Sequence, residues 1–473
     1  METFTKIVSA VDDFAWGPVM LVLLVGTGLY LSIRSGFLQF TRFGYAMRNT
    51  LGKAFKKQKA GKGEVTPFQA MTTALAGTVG TGNIAGVTGA IFIGGPGAVF
   101  WLWISALVGM VTKYSEVVLA VKFRERNADG DWVGGPMYSI KNGLGKNWLW
   151  LAYVFAFFGM IASFGIGNTT QVDSIATAIG TAVAAFGGAE GSTALRIVIG
   201  VIVAIFTAVV IIGGIKRIGA VTEKLVPFMA VIYIVAALIV VFGNIGQIGV
   251  VLGAIFQGAF KPSAIAGGAL GVGIMTTIQK GIARGVFSNE AGLGSAPIAH
   301  AATSEIDPVK QGVYGIFEVF MDSIVICTLT SLALLMGLSG QVGISGIEWG
   351  VSHGSEMVVA AFSGIFGGKI SSIIIAVGLS LFALSTILSW SLYGARCCEF
   401  LFGKAAKPAA LVYKVVFCII LIIGSTLGLD LVWTIGDALN GLMAIPNLIA
   451  LLALSGVVIK ITKDYFSNKK NLE

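Results

Sequence analysis

Ala76-Gly77-Thr78-Val79-Gly80-Thr81-Gly82-Asn83-Ile84-Ala85-Gly86 and Gly281-Ile282-Ala283-Arg284-Gly285-Val286-Phe287-Ser288-Asn289-Glu290-Ala291-Gly292-Leu293-Gly294-Ser295-Ala296-Pro297 decide the fold. Each sets several glycines among Thr, Ser and Asn where the flanking apolar residues require a continuous helix, so each is expected to unwind locally. In a bilayer, unwinding leaves backbone N–H and C=O groups without partners, which is tolerated only where protein, water or a ligand supplies them. The N–H end of one half-helix attracts a carboxylate, and the carbonyl end of the other suits a cation. An amino acid and a sodium ion carry those two charges. Close helix packing at Gly82 and Gly86 would explain the small residues. It does not explain Asn83 or Ser288-Asn289-Glu290, whose polar groups cost free energy at membrane depth unless partnered.

The rest of the chain supplies the membrane. Of 473 residues, 56% are hydrophobic and 12% charged, about half the charged share of a soluble domain. Runs such as 225–241 and 411–427 approach the length needed to cross about 30 Å of hydrocarbon. The chain is therefore expected to be all-α and polytopic. Eleven apolar segments can be read: 15–34, 67–93, 98–123, 148–184, 193–214, 222–243, 264–299, 311–338, 369–400, 409–427 and 433–459. Residues 244–262 and 355–366 are expected to hold short surface helices. The first segment has no cationic leader or clear cleavage site and reads as a span, not a removable signal. Cys327, Cys397, Cys398 and Cys418 lack metal-ligand spacing and read as buried thiols.

The net charge of +9 sits in short loops. That suits topology signals and anionic lipid, and there is no basic soluble domain to take nucleic acid. The loop 34–62 holds eight Lys and Arg, including Lys53, Lys56, Lys57, Lys59 and Lys62, and should face the cytoplasm. The N-terminus is then outside and the C-terminus inside, with only Lys6, Arg196, Lys261 and Lys369 on the outer side. With 15–34 set aside as an extra first helix, residues 67–243 and 264–459 form two halves of one transporter domain, and 460–473 a cytoplasmic tail. The two breaks fall in the first helix of each half and run in opposite directions. That is the pattern of a five-plus-five inverted repeat with a ligand site at its midplane.

At this point the chain resembles the alanine or glycine:cation symporters, of the amino acid-polyamine-organocation superfamily, which share the fold of the bacterial leucine transporter. The resemblance covers nearly the whole chain. It is carried by Gly80-Thr81-Gly82-Asn83-Ile84-Ala85-Gly86, Gly94-Gly95-Pro96-Gly97-Ala98, Thr112-Lys113-Tyr114-Ser115-Glu116, Gly134-Gly135-Pro136-Met137-Tyr138 and 284–292. It implies sodium-coupled import of alanine or glycine across the cell membrane by alternating access. It also implies substrate contacts at Val79, Gly80, Thr81, Gly82 and Asn83, opposite a break at Phe287, Ser288 and Asn289, with Gln171 reaching in from the fourth span. Gln171 equally suits an interhelical hydrogen bond. Hydroxyls at Ser385 and Thr386 suit sodium, and the resemblance groups them with Ala76, Val79 and Ala383. Trp390 and Phe287 are expected to limit substrate size, unless they are core or lipid-facing aromatics.

Other readings are weaker. Lys113 and Glu116 can pair at i, i+3 as a structural or gating contact. Asp173, Glu290, Asp322 and Asp437 lie in or near spans without a cationic partner evident in sequence, which leaves proton coupling open. A larger neutral amino acid such as glutamine is an alternative substrate. A channel would need a continuous polar pore. An enzyme is disfavoured: the only histidines are His300 and His353, and neither a metalloprotease helix nor a phosphate loop is present. No cofactor other than sodium as coupling ion is expected.

Overall fold

Helices in the computed structural model form where the apolar runs predict them. It describes residues 2–54, 60–61, 63–188, 191–261, 273–342, 354–426 and 430–468. The chain opens with α1 (Glu2–Ala15), α2 (Pro18–Arg34) and α3 (Phe43–Ala54). Thr66 then caps α4 (Pro67–Thr78). Its hydroxyl accepts the Gln69 N–H, the Gln69 side chain accepts the Thr66 N–H, each at 3.1 Å, and Pro67 fills the first position. After the first break come α5 (Ala85–Gly94) and α6 (Ala98–Lys122). A two-stranded hairpin, β1 (Glu125–Arg126) and β2 (Trp132–Val133), leads on. Glu64 ties this hairpin to α4 by accepting from Arg126 and Trp132. Burial acts to raise its pKa, but the donors from Gly61, Arg126 and Trp132 outweigh it and hold the carboxyl below the ordinary range.

The fourth span is α7 (Leu149–Phe164) and α8 (Thr170–Ala185), joined by a π-helical turn at Gly165–Thr169. Next come α9 (Thr193–Ile212), α10 (Gly214–Gly243) and α11 (Ile248–Phe260). The sixth span begins at Gly214, not 222, because Arg217 turns back to donate to the Val209 carbonyl and Lys216 to that of Gly61. The seventh is α12 (Ile274–Asn289) followed, after the second break, by the short α13 (Pro297–His300). The eighth is α14 (Pro308–Val319) and α15 (Thr328–Val342), joined by a second π-helical turn, Phe320–Cys327. Finally come α16 (Glu356–Phe366), α17 (Gly368–Phe402), α18 (Ala406–Gly424), α19 (Asp430–Ala453) and α20 (Ser455–Ser467). The turn at Leu454 ends the last apolar segment five residues before the expected 459.

Among the described residues eight helical runs are long and apolar enough to cross a membrane, and nine if the bent pair α4–α5 counts as one. Residues 244–262 and 355–366 do hold helices, α11 and α16, but these are half sunk into the protein, with Val251, Ile255, Val358 and Phe362 buried. Residues 264–272 of the seventh segment, Lys56, Lys57, Lys59 and Lys62, and 469–473 of the tail lie outside the described residues. Cys327, Cys397 and Cys398 are buried free thiols and Cys418 is half-buried. Large apolar side chains such as Ile202, Ile205 and Val209 on α9 remain uncovered, as befits a hydrocarbon-facing surface.

Glycine sets how closely the inner helices approach. A Cβ on Gly165, in the fourth span, would lie 2.6 Å from the Gly436 Cα of α19. Gly165→Ala is therefore expected to cost about 1–3 kcal/mol by overpacking and to lower the thermal unfolding midpoint of the purified protein. Gly246→Ala, where a Cβ would meet nothing within 4 Å, should leave the midpoint unchanged.

Candidate functional site

Both sequence-predicted breaks exist. In the first, α4 stops at Thr78, Val79 and Gly80 leave helical geometry, Thr81–Asn83 make one 3₁₀ turn, and α5 departs at 56°. Partners replace the lost helical bonds. The Gly80 N–H donates to Asn83 Oδ1 (2.8 Å) and the Thr81 N–H to Gln171 Oε1 (3.4 Å), while Gln171 Nε2 is anchored on the Ile166 carbonyl (2.9 Å). Gln171 therefore does form the interhelical bond, and does so at the break itself. Thr81 Oγ1 is buried with no hydrogen-bond partner, a cost that a bound ligand would relieve.

The second break lies three residues beyond the expected 287–289. α12 runs unbroken through Phe287, Ser288 and Asn289, because Gly285 lets it lie directly on Ser105 of α6. Unwinding starts at Glu290, a non-glycine residue held at φ 55°, and continues through Gly292 (φ 96°) and Gly294 (φ 81°). Carboxylates and amides from other spans hold this stretch. Glu116 Oε1 accepts the Gly292 N–H (3.0 Å), Asn447 donates to Glu116 (2.6 Å) and to the Gly292 carbonyl (2.9 Å), and Asn289 Oδ1 accepts the Ala291 N–H (2.9 Å). Glu290 accepts from Ser295 (2.5 Å) and from the Trp390 indole (2.9 Å).

The two breaks meet. Asn83 Nδ2 donates to Ser288 Oγ (3.0 Å) and to Asp322 Oδ1 (2.7 Å), in the π-helical turn of the eighth span. Ser288 and Ser323 also donate to Asp322 (2.9 and 2.8 Å), and Asn289 donates to Ser323 (3.0 Å). Asn83, Ser288 and Ser323 all donate to Asp322, which so ties the two breaks to the π-helical turn of the eighth segment. Phe287 lies against Gly82, where a Cβ would come 3.3 Å from its ring. Trp390 packs on Gly167, lies 5.5 Å from the Tyr393 ring and donates from its indole to Glu290.

A cluster of neutral oxygens flanks the first break. Ser385 Oγ lies 3.3 Å from the Ala76 carbonyl and 3.4 Å from that of Val79, and Thr386 Oγ1 lies 3.1 Å from Ala76. Both hydroxyls also reach the Phe382 carbonyl, at 2.8 and 3.1 Å. The Phe382 contacts are bonds from each hydroxyl back to its own helix, three and four residues on, and Ala383, expected in the same cluster, is buried beside them on α17. Thr386 also abuts Gly80, which has no room for a Cβ.

Below the second break, Lys113 pairs with Glu318 (3.5 Å), not with the Glu116 its spacing suggested; both side chains are fully buried. Glu318 also meets His300 (3.0 Å), and His300 meets Gln311 (2.9 Å). Asp173 does have a cationic partner, Arg196 at 2.7 Å. Sequence reasoning missed Ser323 and Asn447, which hold Asp322 and the second break. It flagged Asp322 only as an ionisable group inside a span, and that was the one signal available.

The two unwound stretches meet and are held by polar residues from five other helical segments, the build of a buried ligand site inside a helical bundle. Such a build belongs to secondary transporters. The chain belongs to the sodium:alanine symporter family, whose sequence profile it matches over residues 1–473. It is 45% identical over 471 residues to the sodium/alanine symporter AgcS of Methanococcus maripaludis, covering 99% of this chain and 98% of that one. It is 36% identical to the probable sodium/glutamine symporter GlnT of Bacillus subtilis, covering 99% and 92%. In fold it is similar to MhsT solved with L-phenylalanine, at a TM-score of 0.59 and 17% identity, covering 85% of this chain and 99% of that one. The protein is thus a multi-pass transporter of a sodium-coupled family, not an enzyme.

Asn83 joins both breaks, so Asn83→Ala strands the Gly80 N–H and removes a donor from Asp322. A loss of about 1–3 kcal/mol is expected from the unmet buried Gly80 N–H, read as a lower unfolding midpoint. Ser288→Ala, which removes one hydroxyl, should cost less than half as much.

Proposed function

We propose that this chain imports alanine or glycine together with sodium across the cell membrane by alternating access. Eleven spans are arranged as an extra first helix (15–34) and an inverted repeat (67–243 and 264–459), with the N-terminus outside and the C-terminus cytoplasmic. The observation that carries the reading is the junction of the two breaks, where Asn83 bridges to Ser288 beside the unpartnered Thr81 hydroxyl. The substrate carboxylate and ammonium would lie along Val79 to Asn83, within reach of Gln171, Phe287 and Ser288. Sodium would be taken by the carbonyls of Ala76, Val79 and Phe382 and the hydroxyls of Ser385 and Thr386, a neutral all-oxygen set suited to a hard cation. Because Thr386 abuts Gly80, ion and substrate share one turn of backbone, and each should raise the affinity for the other by the same factor.

Size supports a small substrate. A Cβ on Gly82 would come 3.3 Å from the Phe287 ring, and one on Gly167 would run into Trp390. A channel fits poorly, since Phe287 and the Asp322 network stand across the route. Asp322 favours a second reading, coupling to protons as well as sodium, because a buried carboxylate beside the site can carry one.

Purified protein in liposomes is expected to accumulate labelled alanine when a sodium gradient points inward, and not when a pH gradient alone is imposed. Sodium-independent accumulation would remove the sodium reading, and accumulation driven by the pH gradient would establish the second one. Thr386→Val, isosteric but lacking one oxygen, should raise the sodium concentration for half-maximal uptake about tenfold, the worth of one hydrogen-bond-strength contact.

Phe287→Ala should widen the accepted range toward glutamine-sized side chains in competition assays. An unchanged range would count against Phe287 as the size limit.

A further inference from the structure

The turn after α13 carries a run of polar side chains that takes no part in the central site. Thr303, Gln311, His300 and Glu318 are all fully buried, and their hydrogen bonds point one way. The Thr303 hydroxyl accepts the Glu305 N–H (3.1 Å) and donates to Gln311 Oε1 (2.9 Å). That turns the Gln311 amide nitrogen toward His300 Nδ1, at 2.9 Å. An amide nitrogen can only donate, so Nδ1 is the bare nitrogen and the ring proton sits on Nε2. Nε2 then donates to Glu318 Oε2 (3.0 Å), whose other oxygen faces Lys113 at 3.5 Å. The neighbours of His300 thus fix its tautomer.

The two ends of this line meet different parts of the fold. At one end, Lys113 acts electrostatically on Glu116 and Glu290, the carboxylates that hold the second break. At the other, the Thr303 stretch closes on the entrance of α4. The Val65 N–H donates to the Ala302 carbonyl (3.0 Å) and the Ser304 N–H to that of Val65 (2.8 Å). Arg124 grips the Ala301, Thr303 and Glu305 carbonyls from outside, and Val65 itself is buried. The proposed topology puts this end of the molecule in the cytoplasm, where the α4 entrance and residues 301–305 must part for substrate to leave. We propose that His300 is a positioning residue for this inner closure. Through Gln311 it holds Thr303, and so ties the α4 entrance to the Lys113–Glu318 pair below the second break. Hydrogen bonds that run in one direction strengthen one another, so cutting one link weakens the line. A change at the second break that draws Glu318 from His300 then loosens the α4 entrance. This rests on the alternating-access reading.

Val65→Cys places a thiol where parting of α4 from residues 302–304 exposes it. The full-length variant in lipid nanodiscs is treated with N-ethylmaleimide, without sodium or alanine. Mass spectrometry follows labelling at position 65 and at the buried native Cys327. Gln311→Leu and Thr303→Val should each speed labelling at position 65 about tenfold, the worth of one buried hydrogen bond, and leave Cys327 unreactive. Both cut the same link, so together they should act no more strongly than either alone. Unchanged rates, Cys327 labelling that rises in step, or effects that multiply would each overturn the relay. A second measurement leaves the line intact. His353→Asn makes His300 the one histidine, and the nitrogen-15 spectrum of histidine-labelled protein should then show Nε2 protonated and Nδ1 bare. The opposite tautomer or a charged ring would overturn the proposal, even where the labelling variants do not fold. Neither readout involves uptake, so a failure of the central reading would show separately in the liposome measurement.

Discussion

A backbone amide freed from its helix in the middle of a membrane must find a partner, and that requirement organises the centre of this protein. Four freed groups have traceable ones. The Gly80 and Thr81 N–H groups go to Asn83 and Gln171, and the Ala291 and Gly292 N–H groups go to Asn289 and Glu116. Two of these partners belong to the broken helices themselves and two come from other spans. The breaks therefore fix the relative position of the fourth span, α6 and the two unwound helices more firmly than apolar contact would, because lipid competes with apolar contact and cannot compete with a hydrogen bond.

The same requirement accounts for the carboxylates buried at this depth. Glu116, Glu290 and Asp322 each accept from two or more donors, and most of those donors lie at or beside an unwound stretch. A carboxylate accepts at four positions and so gathers several strands of backbone at once. A fully buried cation, Lys113, lies nearby against Glu318. Removing one member of such a set leaves its neighbours uncompensated in low dielectric, which makes the set rigid as a unit.

Much of this was legible in the sequence, for reasons that can be traced to particular residues. The glycines around Thr81 and Asn83 and around Asn289 announced two unwound helices, since no membrane helix keeps such polar and flexible residues together without a use for them. The hydroxyls of Ser385 and Thr386 announced an oxygen cluster. What was not legible depended on geometry that has no residue signature. The second break begins at Glu290 because a non-glycine residue takes the left-handed conformation there, a choice made by the tertiary contacts of Glu116, Trp390 and Asn447. The two π-helical turns, which rotate Gln171 and Asp322 inward, arise in sequences that read as ordinary apolar helix.

Thr386 stands at the point where these arrangements join. Its hydroxyl meets the Ala76 carbonyl on one side, and its side chain occupies the space a Cβ on Gly80 would need on the other. Gly80 is oriented by Asn83, and Asn83 in turn holds Ser288 and Asp322. At the proposed sodium site, a cation drawing the Ala76 and Val79 carbonyls together would act on the same short turn whose N–H groups go to Asn83 and Gln171. Fixing those carbonyls fixes the direction of the amides, because the peptide planes between Val79 and Asn83 are too few to bend independently. The ordering entropy for that turn is then spent once and shared by whatever binds on either side. On the proposed pair of sites, coupling would need no long relay: it would be a property of about five peptide units with a hydroxyl cluster at one edge and a polar bridge at the other.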